Sequence, residues 1–585
     1  MGNNQNCVKM KEPSNPALEN STFQSPYRTR SLANSVHYEE GNINIIINSK
    51  SSFLRPYSLV NDEHNEYIYE EANSRKFSDN PENFETEIRN LLSQMAQNLS
   101  DKRTQICLNL EGKYVTKQTT FDIMDFFENA KNMVKIEINL NNVYLNDEKF
   151  ATIINSFQKH PEMLELTLKL SKNHLGYNSG KLISQLIAKL PDLKFLDIDL
   201  SYNPDMSGNG LEELADNLGL LEKLSCLKLE LQATKINSSD LFFLELKESL
   251  LKMNNLTNLS LDLSRNFLKS NIIGLFISGL QNIQNLQIFS LNLSYNNLRA
   301  QDLYDLSSAC SEFKNLEEFC FICNECGVSL SEYEILYMGL ARLPKFRKLH
   351  LDFGKNYNAN KIVNYLVDYI NPETSFVSIK DVNLNLAFNL FQEINYENIS
   401  FLFLSMKFLH SLEISLANNT MESKGLENIM CSLGGMKSLK HLRIDLKNSE
   451  VKNNGFEMIG NSLAQIKSLR SLHLGFQTSS CTFQNIVNFL AIINGLLVEK
   501  FALEVGEKIF HRDEINLLME KLSSFKLLQD MDLSKNSNFF TLNLRNMEVF
   551  KTYLKHKKRV MYQAFSLNSR IADRTIREVI MKQLS

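Results

Sequence analysis

Three groups of residues have types and spacings that could do chemistry. Asp352, Phe353 and Gly354 copy the metal-binding Asp-Phe-Gly of protein kinases, whose carboxylate holds magnesium against a nucleotide. Cys320, Cys323 and Cys326 form C-x-x-C-x-x-C with Cys310 nearby, a spacing that zinc-binding thiolates use. Gly2, exposed once Met1 is removed, is the acceptor that N-myristoylation demands, and Cys7 offers a thiol for a second acyl chain. Each needs a context. Phosphoryl transfer would require an H-R-D-x-x-x-x-N upstream and a glycine-rich loop followed by a strand lysine, and neither is present. Asn6 stands where myristoylation prefers Ser or Thr, and one acyl chain alone would anchor only reversibly. No G-x-x-x-x-G-K-[ST], H-E-x-x-H, G-x-S-x-G or EF-hand loop occurs, and the ten histidines show no ligand spacing. No convergent catalytic set emerges, so neither an enzyme nor a cofactor or metal site is expected.

Charge says more. The chain of 585 residues carries a formal net charge of −4, too small to select a partner through the net field. From Lys551 to Ser585, however, nine basic residues face only Asp573 and Glu578, giving +7 and leaving −11 for the rest. The run Lys555, Lys557, Lys558 and Arg559 reads either as an anionic-surface or nuclear-import signal or as a solvated face of a terminal cap. It lacks interleaved aromatics, which argues against single-stranded nucleic acid. At 43% apolar and 22% charged residues the composition is that of a soluble globular protein. No apolar run reaches membrane-span length and no leader opens the chain, so a cytoplasmic protein with reduced thiols is expected, held at a membrane only if Gly2 is acylated.

The elements that position these residues repeat. LKFLDIDLSYN (193–203) returns as LTNLSLDLSRN (256–266) and LQIFSLNLSYN (286–296). The middle apolar residue of each alternating triplet falls at Leu108, Ile138, Leu168, Ile198, Leu229, Leu261, Leu291, Phe321, Leu351, Leu384, Ile414, Ile444, Leu474, Leu503 and Met531, in steps of 28 to 33. Five positions later a short polar side chain recurs, as Asn173, Asn203, Thr234, Asn266, Asn296, Cys326, Asn356, Asn389, Asn419, Ser449, Ser479 and Asn536. Such a group at a bend can satisfy the backbone of neighbouring coils; Lys113, Val143 and Lys508 interrupt the series. Between strands the period lengthens to about 3.6, as in GLEELADNLGLLEKL (210–224), so each unit reads strand, bend, helix, return.

These motifs resemble the leucine-rich repeat family over about residues 104–540, and the unit length and helical content are most similar to its ribonuclease-inhibitor-like subclass. The resemblance implies an α/β solenoid, a curved horseshoe of about 15 strand-helix units with a concave parallel sheet and convex helices. Residues 1–80 show little sustained apolar pattern and are expected to be a largely disordered tail, and 81–103 an amino-terminal capping helix. Residues 541–585 are expected to form basic carboxy-terminal capping helices. In the repeat frame Cys320 faces the concave side, Cys323 the core and Cys326 the polar ladder, so the three cannot converge on one ion. Asp352 likewise belongs to the strand of the ninth unit.

The position after each middle residue faces the concave side and holds seven acids against one base. Asp197, Asp199, Glu230 and Asp262 fall on three successive strands, where like charges repel and a basic partner would be attracted. The sequence therefore points to a non-enzymatic scaffold or adaptor that binds another protein on this surface. Two alternatives remain open: a GTPase-activating regulator resembling the Ran activators of the same repeat subclass, and a ubiquitin-ligase substrate receptor, for which 81–105 shows no convincing F-box.

Overall fold

A computed structural model describes residues 35–39, 42–46, 81–98 and 104–532, the last with short breaks of which 357–375 is the longest. Its centre is a sheet of 17 strands. The first two are β1 (Ser35–Glu39) and β2 (Asn42–Ile46), an antiparallel pair within the amino-terminal 80 residues. The repeat strands follow as β3 (Thr104–Asn109), β4 (Met133–Asn139), β5 (Glu165–Lys169), β6 (Phe195–Asp199), β7 (Cys226–Glu230), β8 (Asn258–Asp262) and β9 (Ile288–Asn292). They continue as β10 (Glu318–Ile322), β11 (Lys348–Asp352), β12 (Asp381–Asn385), β13 (Ser411–Ser415), β14 (His441–Asp445), β15 (Ser471–Gly475), β16 (Lys500–Glu504) and β17 (Asp530–Asp532). From β2 onward every strand pairs parallel with its successor. From β2 onward a helix lies in every described connection between strands, so the chain is an open α/β leucine-rich repeat solenoid.

The register follows the sequence frame. Leu108 pairs with Ile138, Ile138 with Leu168, and so on without slip to Leu474 and Leu503. One unit corrects the reading: Met531 pairs with Phe501 rather than Leu503, so the fifteenth frame lies two residues from its expected place. Inward side chains fill a continuous core, with Leu196, Ile198 and Leu200 of one unit each fully buried.

Helices stack as closely as strands pair. Between α4 (Tyr177–Ile187) and α5 (Ser207–Leu218) the two backbones nearly touch, because a methyl on Gly180 would overlap the carbonyl of Gly210. Helix α1 (Pro81–Asn98) buries Ile88 and Leu92 and packs on α2 (Lys117–Asn129).

The polar ladder knits the bends. Asn203 donates Nδ2 to the carbonyl of Leu170, 3.0 Å away in the preceding unit, and accepts the N–H of Leu175 at 3.1 Å. Asn173, Asn266, Asn296, Asn356, Asn389 and Asn419 repeat this backward reach, and Cys326 keeps a thiol version of it to Leu293 O at 3.1 Å. Ser449 makes the same reach with its hydroxyl, to Leu416 O at 2.9 Å, whereas Thr234 turns its hydroxyl to the carbonyl of Leu231 in its own coil. One position before the ladder, Lys172, Tyr202, Ala233, Arg265, Tyr295, Glu325, Lys355 and Phe388 all adopt left-handed backbone, with φ between 53° and 59°. The same turn recurs whatever side chain it carries, so the tertiary frame overrides local preference at roughly 1 kcal/mol per residue.

Candidate functional site

Strands β3 to β16 turn three positions each, and β17 two, toward the concave side, and on these the sequence sets fourteen acids against six bases. Part of that bias has a local cause. Asn109, Asn139, Asp199, Asp262, Asn292, Asp352, Asn385 and Asp445 each accept the backbone N–H two residues on, at 2.9–3.2 Å. A short side chain with an sp² oxygen is what such a turn needs, and Asn and Asp serve it equally. The alternation of Asp with Asn down this column was the signal, and charge counting passed over it.

The four acids singled out from sequence do sit together, but a cation runs through them. Lys169 bridges Asp197 at 2.7 Å and Glu230 at 2.9 Å, the second two strands away, and Lys228 lies 4.0 Å from Asp197. Burial alone would pull Lys169 down, yet Glu230 and Asp197 outweigh it and hold its pKa above the usual lysine value. Glu230 is nonetheless raised, by burial first and by Asp199 and Asp197 beside it; one lysine shared between two carboxylates does not fully offset this. Asp199 and Asp262 are also raised by burial, against the N–H and hydroxyl groups of Ser201 and Ser264 that favour their charged forms.

This has a measurable consequence. A carboxylate whose folded-state pKa is raised favours folding most when protonated, and that contribution is lost as pH rises through the folded-state value. Asp199→Asn keeps an oxygen for the N–H of Ser201 and removes the buried charge. The variant should melt above the native protein at pH 7, with the difference vanishing once the medium is acidic enough to protonate Asp199 in both states. A difference constant from pH 3 to pH 8 in calorimetry would show that the charge is not what matters.

Further along the sheet lies a second acidic zone that the sequence reading did not isolate. Asp352, Asp381 and Glu413 occupy the adjacent strands β11, β12 and β13, and among the described residues none has a cation within ion-pair distance. Asp352 is raised by burial, against Asn324 and the N–H of Gly354, and His350 beside it is lowered by burial. Asp352 thus closes a strand in register and makes the same turn as its counterparts, with no kinase-like surroundings. Between the zones, β9 and β10 present Ile288, Ser290, Cys320 and Ile322, and the one charge there, Glu318, is paired with Lys348 at 2.6 Å.

Beyond β13 charges gather around Glu504. Glu504 receives His473 Nε2 and Lys447 Nζ, each at 2.6 Å. Arg443 can only donate, and it reaches His473 Nδ1 at 3.2 Å, so the imidazole proton is on Nε2. At the other end a hollow of about 480 Å³ opens over β3 to β6, lined by Lys135, Glu137, Thr167, Phe195 and Asp197 among others, with no dominant charge.

The thiols separate as their frame positions require: Cys320 is half-buried, while Cys310, Cys323 and Cys326 are buried. Among the described residues no group of three or more His, Cys, Asp or Glu could hold a metal ion, and no helix is long and apolar enough to cross a membrane. Gly2, Cys7 and the basic residues Lys555, Lys557, Lys558 and Arg559 lie outside the described residues.

No protein-family model matches the chain, and no curated protein matches it. A solved structure described as the crystal structure of a TLR13–ssRNA13 complex is similar to it with a TM-score of 0.33 and 14% identity, over 75% of this chain and 63% of that one. The chain therefore spans less than two thirds of the length of the structure it matches.

Proposed function

We propose that the protein is a non-enzymatic scaffold that holds another protein on its concave sheet, and that the partner is basic where it meets the sheet. The observation that carries this reading is the excess of acids over bases at outward positions fixed in register, including three carboxylates on β11 to β13 without cations. A parallel array in which every unit offers three outward side chains on a rigid frame suits recognition of an extended surface. Unit length and a helix in each described connection favour the ribonuclease-inhibitor-like subclass. The cytosol is the compartment that fits the sequence.

The full chain and a variant with Asp197→Asn, Asp199→Asn, Glu230→Gln and Asp262→Asn, both confirmed folded by melting, would serve as parallel baits at two salt concentrations. Proteins retained by the native chain should be basic, salt-sensitive and depleted on the variant, because the lost charges act mainly on association. Identical sets on both baits would remove the first acidic zone from the binding surface.

A further inference from the structure

We infer that one occupant of the concave face is the protein's own carboxy-terminal segment, Lys551 to Ser585, docked against Asp352, Asp381 and Glu413. This rests on the reading that the concave face recognises basic surfaces, and it adds that the face is masked in cis. Three observations carry it.

Charge is complementary in both size and sign. The outward positions of β3 to β17 sum to −8 by sequence, fourteen acids against six bases, and Lys551 to Ser585 sums to +7. The rest of the chain holds no comparable basic block: residues 1–550 sum to −11.

The acceptor carboxylates have no bonded cation among the described residues. Lys169 answers Asp197 and Glu230 in the first zone, and Lys447 with His473 answers Glu504 beyond β13. Asp352, Asp381 and Glu413 have no such partner among the described residues, and Glu413 is exposed. Asp352 closes β11, Asp381 opens β12 and Glu413 lies midway along β13, so at about 4.8 Å per strand and about 3.3 Å per residue the three stand roughly 8 to 14 Å apart, a span that one extended run of lysines covers.

The reach is sufficient. The described chain ends at Asp532 in β17, five strands from β12, a separation of about 24 Å at sheet spacing. The residues from 533 to 550 can extend to roughly 60 Å. Because the segment is tethered, it competes at an effective concentration in the millimolar range, so even weak docking would hold off a basic partner in trans. A partner would then have to displace the segment, or a modification that removes its charge would have to release it.

Zero-length carbodiimide coupling of the full chain tests this, since it joins a lysine amine to a carboxylate only in direct contact. An equal mixture of ordinary and isotopically heavy chains, coupled at low concentration, separates cis from trans. Lys555, Lys557 or Lys558 should couple to Asp352, Asp381 or Glu413 within one chain, and the products should disappear in 1 M salt and in the triple variant Lys555→Gln, Lys557→Gln, Lys558→Gln. The Lys447–Glu504 pair supplies the control for coupling. If that control couples while the segment does not, or if the segment couples only between heavy and light chains, docking in cis is wrong. Coupling to carboxylates around Asp530, as a cap on the last strand would give, also overturns it. None of these outcomes bears on the parallel baits, whose acidic substitutions lie in the other zone.

Discussion

Gly180→Ala is expected to destabilise the protein by roughly 3 kcal/mol, the upper part of the range for overpacking a rigid site. The added methyl meets the carbonyl oxygen of Gly210, a backbone atom that cannot swing aside as a side-chain tip could. Relief requires α4 and α5 to move apart, and both are tied through their strands to a sheet whose register does not slip. Urea denaturation would show a lower midpoint. Gly495→Ala is the matched control, since nothing lies within 4 Å of its added carbon, and it should change stability by less than about 0.5 kcal/mol or raise it slightly. Equal behaviour of the two variants would mean that the close helix approach carries no strain.

Asn266→Ala is the second large effect, expected at about 3 kcal/mol or more, because several buried backbone groups lose their partners together. The Asn266 amide donates to Leu231 O at 2.8 Å and to Leu263 O and Ser264 O at 3.1 Å each, and it accepts the N–H of Thr234 at 3.1 Å. Hydrogen exchange should quicken first at Thr234 and Ile236, one unit before the substituted residue. Asn266→Cys should cost less than Asn266→Ala, since Cys326 holds the equivalent rung with its thiol. If alanine and cysteine cost the same, side-chain bonding is not what stabilises the bend.

How much of this was legible in the sequence depended on how local the cause was. The strands could be read because each contributes inward apolar residues at fixed intervals, so Leu108 to Leu503 stand in one register. The slip at Met531 has the same origin. In MDLSKNSN both Met531 and Leu533 suit the middle of a triplet, and Asn536 and Asn538 both suit the bend, so a shift of two preserves inside and outside alike. Only the pairing of Met531 with Phe501 decides it. The concave site was less legible. Asp197 and Glu230 were correctly placed as neighbours, but the bond from Lys169 to Glu230 spans 61 positions and two strands, which no local pattern announces. Asp352 was set aside once its kinase-like triplet failed in context, and its kinship with Asp381 and Glu413 appears only when three strands lie side by side.

The ladder also has a direction. Every ladder amide that bridges two coils reaches toward the amino terminus: Asn203 completes the coil of Leu170, Asn296 that of Leu263, Asn419 that of Leu386. A coil is thus finished only by the one made after it. As the chain leaves the ribosome, the newest coil waits with open carbonyls until about thirty more residues have emerged to supply the amide that closes it.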